Sequence, residues 1–147
     1  MTYLPEKGIF SDMKINTKIR YGLRMVIAIA QANKIVNTTD LGSIMHVSPK
    51  YLRKLAGPLE KAGLIKSKQG IYGGYELDKS CEEINIGMIL EAYHEQLSWT
   101  DCVLGKKCDL KDSCQAKQVW AMLEKTLQKH FLPISLRDIL DNKVAQL

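Results

Sequence analysis

The chain has 147 residues, the length of one domain, which can bury about two thirds of its unfolded surface without disulfide help. Its 46% hydrophobic and 25% charged residues are the proportions of an ordinary globular domain and exclude a disordered chain. The longest near-apolar run, Met25 to Ala30, is far short of the ~20 residues that span a bilayer, and the net charge of +5 is unevenly held: residues 1–80 carry thirteen Lys and Arg against six Asp and Glu, residues 81–147 eight against ten.

Residues 1–12 show no periodicity and are too short, polar and acidic for a signal peptide, so an N-terminal extension of a cytoplasmic protein is expected, with Met13 opening the patterned part. From Ile15, apolar residues at 15, 19, 22/23, 26, 29 and 30 predict an amphipathic helix opened by Asn16 or Thr17 and running to about Asn33. Thr38 or Thr39 offers the cap of a short second helix to Met45, with Asp40 in its first turn. His46, between the second and third helices, reads as a packing residue. Ser48-Pro49 reads as N-cap and first position of a third helix, ended by Gly63 with Pro58 bending its last turn. Its row Leu52, Leu55 and Leu59 turns Lys50, Arg53 and Lys54 outward near the N-terminal end, where a DNA-reading helix keeps its contacts. Residues 64–68 and 75–77 read as strands joined by the glycine-rich turn 69–74. Three short helices and a hairpin, in the positively charged half, have the layout of a winged helix-turn-helix.

Asn85 caps a further helix to about Leu97, and residues 99–114 form a loop without helical period. Ala116, Val119, Trp120, Leu123, Leu127 and Phe131 then repeat over four turns. So small a domain has few other faces to cover such a stripe, so Val119, Trp120, Leu123 and Leu127 are expected at a dimer interface. Pro133 ends this helix, and Ser135 caps a last one. No phosphate-binding glycine loop, nucleophile elbow or zinc-protease motif is present, so no enzyme is indicated. The expected division is an extension 1–12, a DNA-binding domain 13–80, and a unit 81–147 of linker helix, cysteine loop and dimerisation helices.

Four cysteines without a leader argue for metal or redox work rather than a disulfide framework. Cys102, Cys108 and Cys114 form C-x5-C-x5-C, and each gap can span roughly 17 to 20 Å, slack enough to fold three sulfurs round one centre. Zinc knuckles prefer gaps of two to four residues, whereas soft thiolates at looser spacing suit an iron-sulfur cluster, with Lys106, Lys107 and Lys111 favouring the ionised sulfurs. Thiol switching and inert cysteines are the alternatives, and Cys81 reads as structural.

Met13-Lys14-Ile15, Tyr21-Gly22-Leu23-Arg24, Ser48-x-x-Tyr51-Leu52-x-x-Leu55, Leu59-x-x-Ala62-Gly63-Leu64, Gly70-x-x-Gly73-Gly74-Tyr75 and the three cysteines before Trp120, in that order over residues 13–142, resemble the Rrf-two type winged-helix regulators, the family of IscR, NsrR and CymR. The resemblance implies a homodimer, usually a repressor, on a pseudo-palindromic operator in double-stranded DNA. It places Ser48, Lys50, Arg53 and Lys54 at the exposed start of the recognition helix and Tyr51 and Leu52 in seating it. Gln69 stands where an arginine often enters the minor groove, and Lys66, Lys68 and Tyr72 are left to hold phosphates. Cys102, Cys108 and Cys114 match the ligands of an iron-sulfur cluster of the two-iron or four-iron kind. The fourth ligand departs from the pattern: a histidine of some relatives is here Lys117 and an aspartate of others is Arg20, leaving His94, Glu95 and Asp101 or a small exogenous ligand. A redox, nitric oxide or iron-sulfur sensing regulator is the leading expectation. A cluster-free regulator answering to thiol oxidation, a metabolite or a partner enzyme is the second, and an iron-sulfur electron carrier leaves the basic half unexplained.

Overall fold

A computed structural model describes residues 15–95, 100, 102 and 105–147; the expected extension 1–12, the start at Met13 and the ligand candidate Asp101 lie outside the described residues. Helix α1, Thr17–Ala32, starts where the Asn16 side chain accepts the Lys18 amide at 2.8 Å, and it buries Ile19, Met25, Val26, Ala28 and Ile29. The chain then pairs once with the distant hairpin: Val36 and Tyr75 exchange both backbone hydrogen bonds at 2.9 Å. This long-range bridge fixes where α2, Thr38–Met45, begins. Its cap is Asn37, not Thr38 or Thr39, because Asn37 leaves the bridge with extended backbone, accepts the Asp40 amide at 2.8 Å and donates to the Asp40 carboxylate at 2.7 Å. His46 closes α2 in the left-handed region (φ 54°) and is exposed, so it serves the turn by its backbone rather than by packing.

Helix α3, Pro49–Lys61, begins as its sequence dictates, with the Ser48 hydroxyl accepting the Tyr51 amide at 3.1 Å and Pro49 first in the helix. Leu52, Leu55, Ala56 and Leu59 are buried against α1 and α2, and this row holds the helix together past Pro58, which cannot donate to the Lys54 carbonyl. The Leu64 amide bonds the Leu59 carbonyl at 3.0 Å and turns the chain into β1, Ile65–Lys68, antiparallel to β2, Gly74–Leu77, with Ile65 opposite Leu77 and Lys68 opposite Gly74.

Helix α4, Ile86–Ala92, is capped by Asn85 as expected but stops well before Leu97. His94, at φ 56°, takes the left-handed position of a Schellman ending: its amide bonds the Glu91 carbonyl at 2.9 Å and the Glu95 amide bonds the Leu90 carbonyl at 3.0 Å. Ile84, Ile89, Ala92 and Leu136 share one core with α1, α2 and α3, so residues beyond 80 close the winged helix from one side. Helix α5, Lys117–Thr126, continues through a π-helical turn, Leu127–Phe131, and buries no residue. The chain returns through an Asn85–Ser135 bridge, with the Leu136 amide on the Ile84 carbonyl at 2.7 Å, to α6, Leu136–Leu140, where Ser135 and Asp138 cap each other. A second small core of Ile19, Ile86, Leu90 and Ile134 anchors this return. The body is thus mostly helical with a two-stranded wing.

Candidate nucleic-acid interface and cysteine segment

The Ser48 cap and the Leu52–Leu55–Leu59 row fix the rotation of α3, so that Ser48, Lys50, Arg53 and Lys54 are exposed and Leu52 is fully buried. Among the described residues none of the three cations has an ion-pair partner, which leaves their charge for a polyanion. Tyr51 is half-buried and meets the Tyr21 ring edge-on, 5.8 Å between centroids at 84°. The Arg24 guanidinium lies 5.3 Å from the centre of that same Tyr21 ring. Arg24 is therefore a further exposed cation on α1 joined to the α3 surface through two tyrosines that meet edge-on. A sequence reading that seeks cations on α3 passes over it; the clue is the spacing of Tyr21 and Arg24, which puts them on one helical face.

On the wing, Lys68, Gln69 and Tyr72 are exposed, but Lys66 is committed to its own sheet, 3.3 Å from Asp78 and 3.8 Å from Glu76. The antiparallel register puts Lys66 opposite Glu76, so its charge is largely offset before any phosphate approaches. Ile71, beside Tyr72, is 96% exposed and had no assigned role.

The α3 helix meets α4, the helix before the cysteines, through the shared core and through a hydrogen bond. The Tyr93 hydroxyl, at the end of α4, donates to the Leu55 carbonyl of α3 at 2.7 Å. Its ring lies so close over Gly22 that a Cβ there would overlap it, which is why α1 carries glycine at this point. Burial, and then the nearby Tyr51 hydroxyl, push the Tyr93 pKa well above its ordinary value.

The cysteines follow in a stretch of turns. Cys102 and Cys114 are half-buried, Cys108 is exposed, and all are free thiols. The Thr100 hydroxyl is 3.1 Å from the Cys102 sulfur. Local bonds from the Lys111 amide to the Cys108 carbonyl and from the Cys114 amide to the Leu110 carbonyl shape the rest. Among the described residues no group of three or more His, Cys, Asp or Glu is gathered as a metal site. As a donor set the three thiols suit an iron-sulfur cluster, since they are soft ligands on backbone that can be drawn together without breaking a helix or strand. Of the fourth-ligand candidates, His94 is exposed at a left-handed turn and the Glu95 carboxylate accepts the Asn16 side-chain amide at 2.7 Å. Cys81 is half-buried at the edge of the main core, apart from this stretch in sequence.

On α5, Val119 is 60% and Trp120 38% exposed, with Leu123 and Leu127 half-buried; Met122 on the same helix is 72% exposed. Among the described residues no helix is long and apolar enough to cross a membrane.

Comparison with known proteins agrees with this architecture. The family model described as Rrf2, iron-dependent transcriptional regulator, matches residues 15–142. The protein rrf2 of Nitratidesulfovibrio vulgaris is 31% identical over 131 residues, 87% of each chain. Among solved structures, CymR, the global cysteine regulator of B. subtilis, superposes with a TM-score of 0.74 at 28% identity over 88% of this chain and 97% of its own. IscR of T. potens does so with a TM-score of 0.69 at 29% identity, over 92% and 93%. With its winged helix-turn-helix and its match across nearly the whole chain, this protein belongs to the Rrf2 family of DNA-binding transcriptional regulators and is not an enzyme.

Proposed function

We propose that this regulator is a homodimeric repressor of the cytoplasm whose affinity for a pseudo-palindromic operator is set by an iron-sulfur cluster held by Cys102, Cys108 and Cys114. The observation that carries the reading is a cationic face on α3, without ion-pair partners among the described residues, in one chain with three evenly spaced free thiols; Tyr93, which precedes the cysteines in sequence, reaches the Leu55 carbonyl of α3. Residues 13–80 read the DNA, and residues 81–147 hold the sensor and the dimer seam.

Ser48, Lys50, Arg53 and Lys54 face the major groove, with Tyr51 and Leu52 seating the helix; Arg53 or Lys54 contacts a guanine edge. Lys68 and Gln69 meet the backbone beside the groove and Tyr72 meets the DNA from the tip of the wing, Lys66 contributing less because of its acidic neighbours. Val119, Trp120, Leu123 and Leu127 form the seam between copies, supported by a helix without a fully buried residue. When bound, the cluster would supply a redox-active, ligand-reactive iron centre. The chain's own part is to present three sulfurs, with the Thr100 hydroxyl beside Cys102, and to couple that segment to α3. The description of the family as iron-dependent supports the cluster.

A second reading, a cluster-free regulator responding to thiol oxidation, a metabolite or a partner enzyme, is favoured by the free cysteines and by the likeness to CymR, whose structure is that of a global cysteine regulator. Iron and acid-labile sulfide assays with a visible spectrum on protein purified without oxygen separate the two. Sulfide with visible absorption, both lost in a C102A/C108A/C114A variant, is the expected result. A colourless, iron-free dimer that still binds one operator would replace it with the second reading.

A further inference from the structure

The tip of the wing carries a feature that charge does not explain. Ile71 and Tyr72 are 96% and 91% exposed, more than any other large hydrophobic residue described. They are the two central residues of a turn closed by the Gly73 amide on the Gly70 carbonyl at 3.0 Å. That turn is held firmly. A Cβ on Gly73 would run into the Lys68 carbonyl, and two residues further on, the Val36–Tyr75 bridge ties β2 to the segment between α1 and α2. Two apolar side chains are thus displayed on a backbone that loses little freedom on binding. Beneath them Lys66 is in contact with both Glu76 and Asp78, so among the described residues Lys68 is the one lysine of β1 without an ion-pair partner. Such a hairpin can hold phosphate at its side through Lys68, while its apolar point is made for entering a narrow slot.

We infer that Ile71 and Tyr72 form an apolar wedge that enters the DNA minor groove beside the bases faced by α3 and loosens a base step there. The inference rests on the DNA-reading role of α3 and adds to it a contact of a different kind. A minor groove about 6 Å wide admits a single turn and little more. Apolar side chains inserted there part neighbouring bases, most readily at flexible pyrimidine–purine steps. The wing is joined to α3 by the Leu64 amide on the Leu59 carbonyl, so groove-reading helix and tip move as one body. A second protein copy is a poor occupant, since two side chains offer about 400 Å² where stable association needs upwards of about 1,200 Å².

The test uses the full chain and a duplex operator selected from a random pool, with aminopurine placed in the flanking step. Ile71→Ser and Tyr72→Ser are each expected to lower operator affinity about tenfold. The slope of affinity against salt should stay as in the wild type, because no phosphate contact is lost. The aminopurine signal of unstacking should disappear, and with it the preference for a flexible flanking step. Unchanged affinity overturns the inference, as does a loss accompanied by a shallower salt slope, which makes the tip a phosphate contact, or by a smaller assembly in sedimentation, which makes it a protein contact. A wild-type protein that binds no duplex overturns the α3 reading itself, so the two failures are distinguishable.

Discussion

Arg53 and Lys54 carry the same charge on the same face of α3 but differ in what they can recognise. A guanidinium forms a planar two-point contact with a guanine edge, whereas an ammonium acts as a point charge. Arg53→Ala is therefore expected to relax preference at one operator position, with a loss of about 1 to 3 kcal/mol confined to the preferred base. Lys66→Ala should change affinity much less than Lys54→Ala on every sequence, because Asp78 and Glu76 already offset the Lys66 charge. Anisotropy titrations over an operator and its single-base variants measure both; an Arg53→Ala loss equal on all sequences would make that residue a phosphate contact. Tyr93 is legible by another route. Tyr93→Phe keeps the ring over Gly22 and removes the hydrogen bond to Leu55, which should cost about 1 kcal/mol in urea unfolding. The raised pKa of the buried hydroxyl adds a pH signature. The folded state holds that proton more tightly, so the contribution is complete below the ordinary pKa of 10.0 and is lost as pH rises beyond it, a loss the phenylalanine variant should lack.

At the level of elements, the caps that lie next to each other in sequence could be read in advance. Ser48-Pro49, Asn85 and Ser135 each start a helix because a side-chain oxygen and its receiving amide are two or three residues apart, a relation a sequence displays directly. Ser135→Ala should cost about 1 kcal/mol and loosen α6. Because the hydrogen bonds from Ser135 hold the Asp138 carboxyl below its ordinary 3.8, this cap is complete above that pH and fails as pH falls through the lowered value; amide exchange of α6 during an acid titration reads it. What escaped the sequence depends on distant partners. Asn37 displaced Thr38 and Thr39 as cap because Val36 is pinned to Tyr75, and no local pattern announces a bridge across almost forty residues. Helix α4 stops at Ala92 because Tyr93 turns inward to α3 and His94 accepts a left-handed backbone without glycine to mark it. The pairing of Lys66 was hidden for the same reason: it reads as a free cation until the register sets Glu76 opposite it. The cationic face of α3 was legible because helical spacing alone separates Leu52, Leu55 and Leu59 from Lys50, Arg53 and Lys54.

Across the whole molecule, the proposed regulation requires three parts to act together: a seam on α5, a thiol segment and the α3 surface. Helix α5 buries no residue, so Leu123→Asp should leave the chain folded while halving its mass in sedimentation and lowering operator affinity about a hundredfold or more through lost bivalence. A folded dimer in that variant would place the seam elsewhere. Regulation needs the sensor to favour one of two arrangements of α3, and an effector can shift operator affinity only by the difference in its own affinity for those arrangements. Among the described residues, the approach to the cysteines meets α3 through the core shared by Ile89 and Ala92 and through the Tyr93 hydroxyl on the Leu55 carbonyl at 2.7 Å. The central claim is that the thiol segment governs DNA binding through iron. It is tested most directly by the operator affinity of one oxygen-free preparation before and after iron chelation, for the wild type and for C102A/C108A/C114A side by side. The account predicts a change of about fivefold or more in the wild type and none in the triple variant. Equal affinities before and after chelation in the wild type, or the same change in both proteins, would contradict it.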